Sequence, residues 1–315
     1  MGKFILKRIL SLIPTVFISM AIIFFLMQAL PVDPIHLMYD TEDMTDAQIQ
    51  ELEEKHGFDD PAIVQYLRYM GNVLKGDWGT SLFSKEPVFQ AIVDRMEPTL
   101  LITLFSTIIT VVIAIPAGVF AATHRNSPLD YAISASSILF DSIPTFWLGL
   151  MLLYIFSFQL DLFPLDGYKL ISHYGFGAAL NSLVLPCFAL GMGHVAGLAR
   201  QTRSQMLNVL SADYIRTARA KGLSERMVNY KHALKNTMSL VVTIIGGSIG
   251  AMLGGSTVIE NVFNIQGVGK LAYTSLMRSD YYQEQGIIMF ITLIYAGMNI
   301  LLDIIYKKLD PRIEI

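Results

Sequence analysis

Six apolar stretches, residues 9–30, 100–122, 132–160, 178–199, 239–258 and 286–306, recur along this chain, each long enough to cross a bilayer as a helix. A helix spans the hydrocarbon core with about 20 apolar residues, because only there can every backbone group be satisfied within its own segment. The pattern therefore restricts the chain to an all-α integral membrane fold of six transmembrane helices. Composition agrees: 53% of residues are hydrophobic and 16% charged, whereas charged residues approach about a quarter in soluble domains. The formal net charge of −3 says little, because acids and bases are segregated along the chain. Cys187 stands alone, which leaves neither an internal disulfide nor a thiolate zinc cluster.

Charge flanking the spans sets an expected topology. Lys3, Lys7 and Arg8 precede the first span, and Lys307, Lys308 and Arg312 follow the last. Basic residues are retained on the cytoplasmic side, so both termini are expected there, in the cell membrane. The first apolar run exceeds a signal-peptide core and no small-residue cleavage site follows it, so it reads as a retained anchor. Arg125 then falls inside, and Asp161, Asp166, Asp280 and Glu284 fall outside. The resulting organisation is a cytoplasmic amino terminus with the first span over 1–30, an extracytoplasmic segment over 31–98, a five-helix core over 99–306 and a cytoplasmic tail over 307–315.

The 31–98 segment carries helix signals. Thr45 followed by Gln48 has capping-box spacing, and Lys55-His56-Gly57 supplies a favourable last turn and a left-handed stop, predicting a helix over 46–56. A second helix is expected with Asp60 as its cap, Pro61 in its first turn, and Ile63, Leu67, Met70, Val73 and Leu74 at helical spacing until Gly76. Together they predict a small helical cap.

Within the spans, Gly246, Gly250 and Gly254 recur at i, i+4 and i+8, a face expected to pack against a neighbouring helix. Pro116, Pro144 and Pro186 are expected to kink three spans. Asp141 lies three residues before Pro144, where a carboxylate must face protein or water rather than lipid. Asp141 and Pro144 are therefore candidate residues of a translocation pathway; the alternative is a carboxylate satisfied near one end of its span. His194 has no second ligand at metal spacing on its helix, and Asp303 reads as an anchor at the end of the last span. The Gly267–Lys270 stretch lacks the first glycine and the hydroxyl residue of a phosphate loop, and neither a Gly-x-Ser-x-Gly elbow nor a His-Glu-x-x-His pair occurs. No catalytic residue, metal site or nucleic-acid surface is expected.

The segment over 200–238 is different in kind. Arg200, Arg203, Arg216, Arg219, Lys221, Arg226, Lys231 and Lys235 are opposed only by Asp213 and Glu225, and the pattern suggests two short helices around Gly222. Ile215, Ala218 and Leu223 form an expected apolar ridge, with Arg216, Arg219 and Lys221 as its charged rim, suited to docking in a partner's groove. The run Tyr214, Ile215, Arg216, Thr217, Ala218, Arg219, Ala220, Lys221, Gly222 and Leu223, with Lys231 to Leu234, resembles the coupling loop of ATP-binding-cassette importer permeases. Ala218, Gly222 and Leu234 match the general form; the remaining wording is similar to the oligopeptide, dipeptide and nickel branch. Matching stretches occur at 7–10, 30–34, 76–81, 143–149 and 254–269, although Ile265-Gln266 stands where relatives carry Trp-Pro.

The resemblance implies a type I importer permease fold that alternates between inward and outward openings. It also implies a second homologous permease, two nucleotide-binding ATPase subunits that hold ATP and magnesium, and an extracytoplasmic solute-binding protein. No cofactor is implied in this chain. The implied cargo is di- or oligopeptides, with glutathione or nickel and metal chelates as alternatives. An ion-driven secondary transporter, or a membrane receptor or scaffold, is the reading from another class.

Overall fold

The computed structural model describes residues 2–29, 34–39 and 44–309. The stretch 30–33 and the tail beyond Leu309, with Arg312, lie outside the described residues. The described chain is helical almost throughout, with one isolated β-bridge between Thr80 and Pro87. It divides into two compact units, residues 1–97 with 267–297 and residues 98–266 with 298–315.

The first unit begins with α1 (Gly2–Gln28), α2 (Pro34–Met38), α3 (Asp46–His56) and α4 (Ala62–Leu74). The α3 ends are those the sequence predicts. The Gln48 side-chain carbonyl accepts from the Thr45 backbone N–H at 2.9 Å, and Gly57 turns left-handed at φ 71°. In α4 the cap differs from expectation: Pro61 holds the N-cap position, and the Asp60 carboxylate is drawn instead to Arg68. Tyr66, Tyr69 and Met70 face inward on α4 and pack with Met20 and Phe24 of α1. The loop after α4 is fastened by the buried Asp280 carboxylate, which accepts from the Ser81 hydroxyl and from the Leu82 backbone N–H at 3.1 Å.

The long helices are α5 (Val88–Thr123), the bent pair α6 (Pro128–Ser142) and α7 (Thr145–Gln159), α8 (Ile171–Leu210) and α10 (Glu225–Val262), with the short α9 (Asp213–Ala220) before α10. They are followed by α11 (Val268–Met277) and α12 (Tyr281–Leu309). Four of these helices are long and apolar enough to cross a membrane, and α6 with α7 makes a fifth that bends by 93°. In α1 the described apolar stretch is Ile13–Gln28. The third predicted span is thus broken. Pro144 caps α7 with extended backbone, because its ring cannot continue the preceding helix. Pro116 and Pro186, by contrast, sit inside α5 and α8 without ending them.

Two boundaries move from their predicted places. The helix of the second span starts at Val88 rather than after Pro98, because Val88 and Ile92 repeat one turn apart and bury completely against Val268 and Ile287. The fourth continues to Leu210, so Arg200 and Arg203 are helical rather than part of a loop. Core packing of the second unit centres on Ile102, Leu183, Leu190, Met252 and Ile259.

Helix contact there depends on glycines other than those singled out in the sequence. A Cβ on Gly118 would lie 2.6 Å from the Ala199 carbonyl oxygen, and one on Gly191 would lie 2.9 Å from the Ser106 oxygen. Of the predicted trio, Gly246 is pressed by Leu302, whereas Gly250 is half-buried and a Cβ on Gly254 would meet nothing within 4 Å in this chain. The threefold face is therefore not one packing surface within the chain.

Candidate functional site

The short helix α9 opens on Asp213, an acid in the first turn, and ends with Arg219 in the last, both favourable to the helix dipole. Gly222 follows at φ 77° with open space around its missing Cβ, so glycine is needed there for backbone conformation and not for room. Ser224 then starts the next helix by accepting from the Met227 backbone N–H.

Ile215 and Ala218, 0% and 7% exposed, point inward. They join a cluster with Val119 and Ala122 of α5, Met206 of α8, and Val228 and Ala233 of α10. This corrects the expected apolar ridge: those side chains are committed to the chain itself and cannot also dock on a partner. A π-helical turn at Val228–Ala233 helps to shape the seat. The face left outward carries Tyr214, Arg216, Thr217, Ala220 and Lys221. Arg219 is exposed too, but its guanidinium is engaged by Glu225 in a bidentate pair of 2.8 and 3.2 Å, which holds Arg219 above its usual pKa. Asp213 and Arg216 make a looser exposed contact of 3.4 Å. Leu223 is half-buried at the edge of the cluster.

Asp141 is near the end of α6 and pairs with Arg200 of α8 at 2.7 Å, with both side chains partly exposed. Arg203, one turn on, grips Asp130 at the other end of α6 with bonds of 2.6 and 2.7 Å. The Asp130 side chain is only 3% exposed. It also accepts from the Asn126 backbone N–H, and its own N–H reaches the Ser127 hydroxyl. Two arginines on one face of α8 thus hold both ends of α6. The sequence does not show this pair while Arg203 reads as part of a loop, although Ser127-Pro128 with Asp130 three residues after the serine is itself a helix-start signal.

A second buried carboxylate is not singled out by the sequence. Glu260 of α10 is 0% exposed and accepts from the Thr99 hydroxyl at 2.7 Å. In the sequence it is visible only as part of the 254–269 resemblance. Among the described residues no three His, Cys, Asp or Glu side chains stand together as a cation would need.

With α9 mounted on three long helices, comparison with known proteins becomes decisive. The model of binding-protein-dependent transport system inner membrane components matches residues 114–315, and the amino-terminal model of the same membrane components matches residues 1–103. The chain belongs to that permease family. It is 41% identical over the full length of both chains to the oligopeptide transport system permease protein AppB of Bacillus subtilis. It is 39% identical, over 100% of this chain and 99% of the relative, to the glutathione transport system permease protein GsiC of Escherichia coli strain K12. A solved structure of the MetNI methionine ABC transporter in an inward-facing conformation matches 71% of this chain and 99% of that one, with a TM-score of 0.59 at 18% identity. At that identity the likeness establishes the fold alone. The protein is an ABC importer permease subunit, a transport component rather than an enzyme.

Proposed function

We propose that this permease carries di- or oligopeptides into the cytoplasm, with α9 as the element through which partner ATPases drive it. The observation that carries the reading is the seat of α9: Ile215 and Ala218 lock it against α5, α8 and α10 together. A displacement of α9 is then passed to three long helices by direct packing, since a close-packed seat shifts as a body rather than deforming. The outward Tyr214, Arg216, Thr217, Ala220 and Lys221 form the face offered to a nucleotide-binding subunit, and Gly222 sets the turn that presents it. ATP and magnesium are held by those partners, so energy enters from outside this chain.

The complete assembly has a second homologous permease, two ATPase subunits and a solute-binding protein received on the extracytoplasmic 31–98 segment. Both termini, and α9, lie in the cytoplasm. Asp141 and Pro144 belong to the moving part of the core: Pro144 supplies the break between α6 and α7, and Asp141 with Arg200 holds α6 to α8 on one side of it. Alternating access consists of repacking around such breaks, with binding and hydrolysis selecting which opening is closed.

Peptides come first among cargoes because the oligopeptide permease AppB matches end to end. Glutathione, itself a small peptide, is the second reading, on the match to GsiC. Reconstitution of the whole importer in vesicles separates them. ATP-dependent uptake of a labelled peptide, undiminished by excess glutathione, supports the first; competition by glutathione supports the second. Uptake driven by an ion gradient without ATP contradicts both.

A further inference from the structure

The foot of α10 carries basic residues that no acid of its neighbourhood answers. Between residues 213 and 238 the carboxylates are Asp213 and Glu225, and both are taken by α9: Asp213 meets Arg216, and Glu225 holds Arg219. Arg226, Lys231 and Lys235 are all exposed and have no ion pair among the described residues. The preceding arginines of the same basic segment, Arg200 and Arg203, each have an aspartate.

The π-helical turn at Val228–Ala233 brings these three cations into line. Through it the buried residues of α10 are Val228, Ala233 and Thr237, five and then four positions apart. Arg226, Lys231 and Lys235 repeat that spacing of five and then four, so they too follow one line along the helix. They precede the buried line by two residues, which at about 3.6 residues per turn is close to the opposite side. In an uninterrupted α-helix Arg226 and Lys231 would point about 140° apart; the turn with bonds from i to i+5 removes much of that offset. Tyr230, one turn after Arg226, and Met227, one turn before Lys231, are exposed beside the line. Lys235 stands four residues before Ser239, where the fifth apolar stretch begins.

We propose that this line is a binding site for the phosphate headgroup of an anionic phospholipid in the cytoplasmic leaflet. Three unanswered cations within reach of the membrane boundary complement a phosphodiester, and their alkyl stems can lie along apolar surface while the charges reach the headgroups. An exposed tyrosine suits the same boundary, with its ring toward the acyl chains and its hydroxyl toward water. The rival occupant is a nucleotide-binding subunit, whose contact the proposed function assigns to the outward face of α9. The inference goes beyond that function and rests on its placement of α9 in the cytoplasm.

The test uses the complete importer in phosphatidylcholine nanodiscs containing phosphatidylglycerol with a photoreactive diazirine near its headgroup. Irradiation is expected to label the foot of α10, and a phosphatidylcholine carrying the same diazirine is expected to label it far less. The triple variant Arg226→Gln, Lys231→Gln, Lys235→Gln should lose at least about tenfold of the label, since each basic residue near an anionic surface contributes about fivefold. Its melting midpoint should match the wild type, because the three side chains are exposed and unpaired. Lys231→Arg with Lys235→Arg should keep the label. Lys235→Gln with Asn236→Lys preserves net charge but moves one cation off the line to a neighbouring exposed position; label should fall by about fivefold.

Unchanged label in that charge-moving variant would overturn the site in favour of diffuse attraction to basic charge. Absence of label at the foot of α10, equal labelling by the phosphatidylcholine probe, or full labelling of the triple variant would also overturn it. Carbodiimide coupling of Lys231 or Lys235 to a carboxylate of a nucleotide-binding subunit would overturn it in favour of the protein partner. Lys231→Cys is treated in parallel with a membrane-impermeant maleimide outside intact cells. Reaction there defeats the cytoplasmic placement of α9 and the inner-leaflet site together, whereas protection there with any of the failures above defeats the lipid site alone.

Discussion

Asp130 and Asp141 illustrate how position decides the worth of an ion pair. Asp130 is almost fully enclosed, so removing Arg203 would leave its charge with only the Asn126 backbone N–H and the weaker pull of Arg125. Arg203→Met is expected to lower stability by about 3 kcal/mol, the scale for breaking a buried pair. The double variant Asp130→Leu with Arg203→Met should recover most of that, because replacing both partners removes the stranded charge. Arg200→Ala breaks the more exposed pair with Asp141 and should cost less than about 1 kcal/mol. Thermal unfolding of the four proteins in nanodiscs checks the order. If Arg200→Ala proved the more damaging, the burial argument would be wrong. These pairs were hidden from the sequence because pairing is a tertiary fact: Arg200, Arg203, Asp130 and Asp141 are all visible as letters, but only the extension of α8 to Leu210 brings them together.

At the scale of elements, α9 separates mounting from contact. Ala218→Glu would place a carboxylate within the cluster of Val119, Met206 and Val228, and should destabilise the permease itself. Thr217→Glu changes the exposed face one residue away, and should leave the melting midpoint unchanged while reducing peptide uptake by the assembled importer. Equal loss of stability in both variants would contradict the inward placement of Ala218. Glycines give a second contrast. Gly118→Ala must push against the Ala199 carbonyl and should be destabilising by about 1–3 kcal/mol, the usual cost of overpacking. Gly254→Ala meets open space in the isolated chain and should gain about 0.5–1 kcal/mol of helix stability when measured on this subunit alone. The regular spacing of Gly246, Gly250 and Gly254 was legible, but spacing on one helix does not reveal which neighbour covers it. The α3 helix was legible to its end residues, since Thr45, Gln48 and Gly57 act locally. The early start of α5 was not, because Pro98 looks like a boundary until its surroundings show that the helix runs through it.

For the whole molecule, the apolar runs fixed the class because the bilayer admits so few backbone solutions. Leu104, Ile108, Val112, Ile138 and Leu139 remain exposed in this chain, as expected of surfaces meant for lipid or for another subunit rather than water. The family was legible in the wording of residues 214–223 and was secured by matches running the length of the chain. What letters did not show was the direction of the α9 side chains, and therefore which of them a partner meets. The most direct measurement is a cross-link from that face. The native Cys187 is 2% exposed, so a benzophenone maleimide on Thr217→Cys reports α9 selectively. In the assembled importer it should label a nucleotide-binding subunit, with a yield that changes between the ATP-bound and nucleotide-free states. Label on the solute-binding protein instead, or reaction of Thr217→Cys with a membrane-impermeant reagent added outside intact cells, would contradict the account.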